Sequence, residues 1–258
     1  MRISVVTPSF NQRNYLEQTL HSVLSQQGDF TLEHLVIDGQ STDGTLDLLR
    51  STTDPRLHWT SRKDTGQSDA INRGLRQATG DIIGWLNSDD LYTPGTLSAV
   101  AAAFSNPDVN WLIGRYQIID PHGQIIRPMV VEYKNRSLRK YSYRKLLREN
   151  FIAQPSVFWR RSFGEKIGPL DESLHHAMDY DLWLRMGELA DPLILDRVVS
   201  QFRIHPQSKS GRLTRERFDE DYAVAVRYTD TDRLSRWMHK LNNERIVWAY
   251  RVLGLIGK

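Results

Sequence analysis

Three short apolar runs end in clusters of the polar side chains that hold phosphate and metal. Val5-Val6 leads into Thr7-Pro8-Ser9-Phe10-Asn11, Val36-Ile37 into Asp38-Gly39-Gln40-Ser41, and Trp85-Leu86 into Asn87-Ser88-Asp89-Asp90. A single Asp after a strand is commonplace and usually caps the next helix. Three such clusters matter more, because an open parallel sheet binds its ligands outside the carboxyl ends of its strands. Asp89-Asp90 is the strongest local signal. Adjacent carboxylates repel, and placing both beside a buried strand costs stability unless a cation joins them. Mg²⁺ or Mn²⁺ takes oxygen ligands and leaves positions open for phosphate oxygens. It would neutralise a diphosphate and stabilise charge on a leaving group. The competing reading is local: Asp90, followed by Leu91-Tyr92-Thr93-Pro94, introduces a helix as its N-cap.

These residues need a scaffold, and the hydrophobic periods predict one. Ile3–Thr7 is a β-branched run, and Tyr15, Leu16, Leu20, Val23 and Leu24 then recur at helical spacing. His34–Ile37 reads as a second strand, and Asp43 is placed to cap a helix carrying Leu46, Leu48 and Leu49. Leu57–Thr60 reads as a third strand. Ala70, Ile71, Leu75 and Ala78 mark a helix with Gly80 as its C-cap, and Ile82–Leu86 a buried strand. Strand and helix alternating at this spacing means parallel strands with crossover helices.

The second half reads differently. Trp111–Ile119 and Gln124–Val131 are expected as strands joined by a turn at Asp120-Pro121-His122-Gly123. Gln154–Trp159 and Val198–Ile204 are further strands. Asp179–Leu189 is helical, with Leu182, Trp183, Met186 and Leu189 on one face. From about Leu213 the chain is charged and helical.

Composition bounds the chemistry. The chain has 258 residues, 40% hydrophobic and 25% charged, as in an ordinary soluble protein of one large domain or of one domain with an appendage. It has no cysteine, so disulfides and thiolate chemistry are excluded and a metal must use oxygen or imidazole ligands. The N-terminus runs straight into a strand, without the apolar run of a signal peptide, and no stretch has the roughly 20 apolar residues of a membrane span. A cytoplasmic location is the expectation. The formal net charge is +3. Arg127, Lys134, Arg136, Arg139, Lys140, Arg144, Lys145 and Arg148 crowd one segment: either a solvated helix face, or a surface for phosphate, lipid headgroups or an acidic glycan.

Taken in order, Val5–Asn11, Val36–Thr45, Asp64–Gly74, Ala78–Asp81, Trp85–Asp90, Gln154–Phe158, Met178–Arg185 and Phe202–His205 resemble the family-two nucleotide-sugar glycosyltransferases of GT-A fold. The resemblance covers roughly residues 1–210. It implies an α/β, Rossmann-like, mostly parallel sheet flanked by helices: a nucleotide-sugar half (1–110), an acceptor half (111–210), and a helical C-terminal extension (211–258). It implies that Pro8, Ser9 and Asn11 frame base and ribose, that Asp38 hydrogen-bonds one of them, and that Asp64 and Arg73 contact the nucleotide. Asp89 and Asp90 would be the acidic metal motif for Mn²⁺ or Mg²⁺, with Asp89 also at the nucleotide, although the acids here are adjacent rather than spaced by one residue. His205 would reach the metal or the diphosphate.

Asp179 matches the family's catalytic base, with Met178 where members often carry Glu; its local reading is an N-cap. Asp181 is the alternative base and lies about 200° around a helix from Asp179, so one of them faces a given pocket. Trp183 reads as core rather than as a sugar platform. The resemblance leads to an inverting transferase moving a sugar from a nucleotide donor, UDP by default with dTDP and GDP open, to a hydroxyl of a glycan or lipid-linked saccharide, as in bacterial surface polysaccharide assembly. Nothing calls for nucleic acid.

Two rivals fit part of the pattern. A sugar-phosphate nucleotidyltransferase also needs Mg²⁺, but its Gly-rich basic loop is missing from Pro8–Arg13. A non-catalytic carbohydrate-binding module explains the aromatics but not three polar strand ends. The basic, aromatic tail from Trp237 to Lys258 is expected to pack on the domain, pair with a second subunit, or lie on a membrane as a peripheral amphipathic helix.

Overall fold

The computed structural model describes residues 1–209 and 215–252, with no side-chain detail for 249–252. Leu213 and the tail residues Tyr250, Arg251, Val252, Leu253, Leu255, Ile256 and Lys258 therefore fall, wholly or in their side chains, outside the described residues. The first half is a strand–helix alternation: β1 (Arg2–Ser9), α1 (Arg13–Leu24), β2 (Thr31–Asp38), α2 (Thr45–Ser51), β3 (Leu57–Ser61), α3 (Gln67–Gln77) and β4 (Ile82–Trp85). β1 pairs in parallel with both β2 and β4, and β2 with β3. β1 and β2 are buried along almost their whole length, as parallel strands covered on both faces must be. α1 buries Leu16, Leu20 and Val23, and each such side chain removed from water contributes about 1.5–3 kcal/mol.

The second half completes a mixed sheet. It contains β5 (Leu91–Tyr92), α4 (Thr96–Phe104), β6 (Trp111–Ile119), β7 (Ile125–Ile126), α5 (Pro128–Arg139), α6 (Tyr143–Leu146), β8 (Val157–Arg160), α7 (Arg161–Ile167), α8 (Met178–Leu189) and β9 (Leu193–Arg203). The strand order is β3-β2-β1-β4-β8-β6-β9-β5, with β7 beside β6. β8 runs antiparallel to β4 and β6, whereas β9 is parallel to β6. The C-terminal helices α9 (Arg215–Arg227) and α10 (Arg233–Val252) follow, and Val224 and Ala225 of α9 join the main core with Trp111, Trp159 and Trp183.

Four local expectations change. The strand expected over Gln124–Val131 survives only at Ile125–Ile126. Pro128 then opens α5 as its first residue, where a missing N–H costs nothing, after Arg127 turns the chain at φ 53°. Gly80 is not a C-cap: α3 ends at Gln77, and Gly80 is pressed against β1, where a Cβ would lie 2.6 Å from the Ser4 nitrogen. Asp90 introduces the two-residue β5 rather than a helix. Leu189 is exposed at the end of α8 instead of sharing its buried face, while Trp183 is fully buried core.

Candidate active site

The ends of β1 and β2 are stitched together by side chains. Asn11 and Gln40 both adopt positive φ, 52° and 67°. Asn tolerates that region because its short amide bonds locally; here the Asn11 Oδ1 accepts the Thr42 N–H at 2.8 Å and the Asn11 N–H donates to the Ser41 Oγ at 2.7 Å. Asp38 is fully buried and accepts from the Ser41 N–H (2.9 Å), the Ser41 hydroxyl and the Ser61 hydroxyl (2.7 Å). Pro8 and Ser9 register against Ile37 and Asp38, and the buried Ser9 Oγ has no hydrogen-bond partner among the described residues. Asp43 braces two helix starts, accepting the Thr45 N–H of α2 and the Arg13 N–H of α1.

Asp64 leans over this seam. A Cβ on Gly39 would come within 2.5 Å of the Asp64 Oδ2, so glycine permits the approach. Burial raises the Asp64 carboxyl above its ordinary value. Arg73 bonds to Asp69 at 2.6 Å and to the Lys63 carbonyl at 3.1 Å, beneath the loop that carries Asp64.

The acidic turn between β4 and β5 sends its two carboxylates in different directions. Asp89 meets His205, which follows β9, with Oδ2 and Nε2 3.0 Å apart. Asp90 is fully buried, accepting the Arg203 N–H at 2.8 Å and approached by the Asn87 amide at 3.4 Å. Burial first, then the neighbouring Asp89 charge, holds the Asp90 carboxyl well above the usual range. The His205 ring lies 4.5 Å from that of Tyr15 on α1, which orients the imidazole.

Residues the sequence reading did not select hold this turn. Arg203 is 1% exposed, and its guanidinium donates to the Asp89, Asp120 and Pro121 carbonyls and to the Gln18 side chain, 5.0 Å over the Tyr15 ring. Asn87 accepts from Gln67 and from the Trp85 indole, and donates to Gln154 at 2.9 Å. Thr19 donates to the Ser88 and Asp90 carbonyls. An arginine inside a strand that should be buried, between Phe202 and Ile204, is the one visible signal for Arg203.

Asp179 stands on another element, α8, and no hydrogen bond joins it to these loops among the described residues. It is the second residue of its helix, not the cap; its Oδ1 accepts the N–H of Tyr180 at 2.7 Å. The cap comes from elsewhere. Glu220 of α9 places one carboxylate oxygen 3.0, 2.7 and 2.7 Å from the backbone nitrogens of His175, His176 and Ala177. These nitrogens belong to the N-cap residue Ala177 and the two residues before it, so the carboxylate fixes the chain as it enters α8, and its charge at a helix N-terminus complements the dipole. Loss of hydration pushes the Asp179 carboxyl up to about 6; Arg217 opposes the rise and Asp221 adds to it. Asp181 faces the C-terminal end of α9, 3.9 Å from Arg227; it pairs with Arg185 at 2.8 Å and accepts the hydroxyl of Tyr228, the next residue, at 2.8 Å.

The donor set at Asp89 fits a hard divalent cation. Two adjacent ligands of an octahedral ion at 2.0–2.1 Å lie about 3 Å apart, which the carboxylate and imidazole already match. No group of three or more acidic or imidazole residues converges on one point among the described residues. An ion here would take its remaining ligands from water and phosphate, as Mg²⁺ commonly does.

The comparisons with known proteins agree with this fold. A glycosyltransferase of Mycobacterium tuberculosis with no assigned activity is 29% identical over 201 residues, 78% of this chain and 74% of that protein. One from Rickettsia conorii is 24% identical over 95% of this chain but only 39% of its own length. Among solved structures, S. aureus TarS 1–349 in complex with UDP-GlcNAc superposes with a TM-score of 0.71 at 20% identity, covering 90% of this chain and 68% of that one. The mannosyltransferase PcManGT from Pyrobaculum calidifontis, in complex with GDP-Man and Mn²⁺, gives 0.69 at 20% identity over 97% of this chain and 75% of its own. The model of glycosyl transferase family 2 matches residues 4–168, so the chain belongs to that family.

Proposed function

We propose that the protein is an inverting, metal-dependent hexosyltransferase that moves a sugar from a nucleoside diphosphate to a hydroxyl acceptor. The observation that carries this reading is the pairing of Asp89 and His205, 116 residues apart in sequence, beside the polar ends of β1 and β2. Pro8, Ser9, Asn11 and Asp38 would frame the nucleoside, with the partnerless Ser9 hydroxyl free to bond it and Asp64 and Arg73 closing the same edge. Asp89 and His205 would hold Mn²⁺ or Mg²⁺, which when bound neutralises the diphosphate as leaving group. Asp90 contributes from behind, fixing the turn to β9 through Arg203.

Asp179 accepts the proton of the acceptor hydroxyl as its oxygen bonds the anomeric carbon and the bond from that carbon to the diphosphate oxygen breaks. The electron pair leaves with the nucleoside diphosphate, and attack from the opposite face inverts the anomeric centre. A carboxyl whose proton affinity lies near neutrality serves such a base better than an exposed Asp. Asp181, saturated by Arg185 and Tyr228, supports the helix.

UDP is the first nucleotide to test, with dTDP and GDP beside it, since TarS holds UDP-GlcNAc and PcManGT holds GDP-Man. The acceptor class is a glycan or lipid-linked saccharide of surface polysaccharide assembly, on the cytoplasmic side. Radiolabelled UDP-, dTDP- and GDP-sugars, each with and without Mn²⁺, should show label transfer to a bacterial membrane extract with one nucleotide and only with metal. No transfer and no nucleotide-induced rise in melting temperature with any of them contradicts the reading.

A further inference from the structure

α10 is two-sided. One side is buried on the domain: Ser235 and His239 are fully buried, and Asn243 and Val247 nearly so. It is fastened there by Arg148 Nε donating to the Ser235 hydroxyl, Arg144 pairing with Asp232, and the Asn242 amide donating to the Arg148 carbonyl. The opposite side is apolar yet exposed: Leu234 at 53%, Trp237 at 60%, Leu241 at 42% and Trp248 at 68%. At 3.6 residues per turn these four fall within about 60° of arc. Arg233, Lys240 and Arg245 flank the stripe, all exposed. The acid on that face, Glu244, is paired with Arg215 at 3.1 Å. α5 adds exposed Met129, Val130 and Tyr133; the Tyr133 hydroxyl donates to Glu149 at 2.8 Å and Asn242 of α10 to the adjoining Arg148 carbonyl at 3.1 Å, so the two helices rest on the same segment.

We propose that this face of α10, continued by Met129, Val130 and Tyr133 of α5, docks on a membrane surface containing anionic lipid. Trp and Leu on one side with Lys and Arg around them is the pattern of a helix lying in a membrane interface, and Trp is favoured at headgroup depth. None of the described helices is long and apolar enough to cross a membrane, and the apolar stripe covers one side of α10 alone, as in a helix lying on a surface.

A second copy of the chain fits worse. Pairing two such faces sets Arg233, Lys240 and Arg245 against cations, because the Glu244 charge is already taken. An anionic bilayer satisfies both the apolar stripe and the cations. It also brings the enzyme to a membrane-anchored acceptor, although the docking itself stands without the proposed reaction.

The test is co-sedimentation of the whole protein with vesicles of phosphatidylcholine alone and of phosphatidylcholine with about one third phosphatidylglycerol. Partition should be at least about tenfold higher on the anionic vesicles and fall steeply at high salt, where the Debye length shrinks. Trp237→Ala with Trp248→Ala should lower it at least about tenfold, as should Lys240→Glu with Arg245→Glu. Melting temperature and nucleotide binding should not move in either pair, since these side chains are exposed. Equal partition on both vesicle types, or no partition, overturns the proposal. So does a dimer by light scattering that Trp237→Ala dissociates, which would make the face a contact between copies.

Discussion

At the proposed donor site, the seam of Asp38, Ser41, Asn11 and Thr42 is made by residues at the ends of two neighbouring parallel strands. Each bond is short in sequence or joins adjacent strands, so chain order alone brings the partners together. Asp179, the proposed base, gets nothing comparable. Its helix is capped by Glu220, more than 40 residues downstream on α9, and its carboxyl feels Arg217 and Asp221 of the same helix. The proposed donor rim is thus built by topology, and the surroundings of the proposed base by a docked extension. The first should tolerate changes in α9. The second should not.

The largest effect is expected at Asp179. Asp179→Asn removes basicity with little change of shape, so kcat should fall about 10²–10⁴-fold while donor affinity holds. Asp181→Asn should do the reverse, keeping most of kcat and costing about 1–3 kcal/mol of stability through its bonds to Arg185 and Tyr228. Steady-state kinetics and denaturant melts on both variants measure this.

The pH profile follows from the raised carboxyl at about 6. The base must be ionised, so kcat/KM should drop about tenfold per pH unit below that value and flatten above it. The stability sign is opposite to that of a salt-bridged Asp. A folded-state value above the unfolded one makes ionisation disfavour the fold as pH rises from about 4 through 6. Asp179→Asn should therefore melt higher than the parent at pH 8, and the gain should vanish at pH 4.

Glu220→Gln comes next and tests the comparison itself. Losing the charge that gathers three backbone N–H groups loosens the start of α8, and small misplacements of a catalytic group cost up to about 10² in rate. A kcat loss of about 10–100-fold with unchanged nucleoside diphosphate affinity is expected. Equal losses in both would mean that α9 supports the whole domain rather than the base.

Legibility tracks the same division. β1 to β4, their helices and the polar strand ends follow from period and turn chemistry, and the family pattern adds Asp179 and His205. Glu220 is one acid among Glu216, Asp219 and Asp221 on a charged helix, and no local rule distinguishes it. Arg203 and Asn87 lie within motifs that were read, but their roles are long-range bonds that spacing does not encode. The strand expected at Gln124–Val131 became α5 because Pro128 at N1 and burial of Val131 and Leu138 outweigh a β-branched run.

The smallest effect is at the seam. Gly39→Ala places a Cβ 2.5 Å from the Asp64 carboxylate, which must turn away. Nucleotide affinity should weaken a few-fold, about 1 kcal/mol or less, with kcat at saturation unchanged; a titration of UDP or GDP measures it.

The most direct test of the account is calorimetry of UDP and GDP binding, with and without Mn²⁺, to the parent chain and to Asp89→Ala. One nucleotide should bind the parent at least about tenfold more tightly with the metal. Asp89→Ala should lose that gain while keeping its melting temperature in the absence of nucleotide. Affinities that are the same with and without Mn²⁺, and the same in the variant, would contradict the assignment of Asp89 and His205 to a metal–diphosphate site.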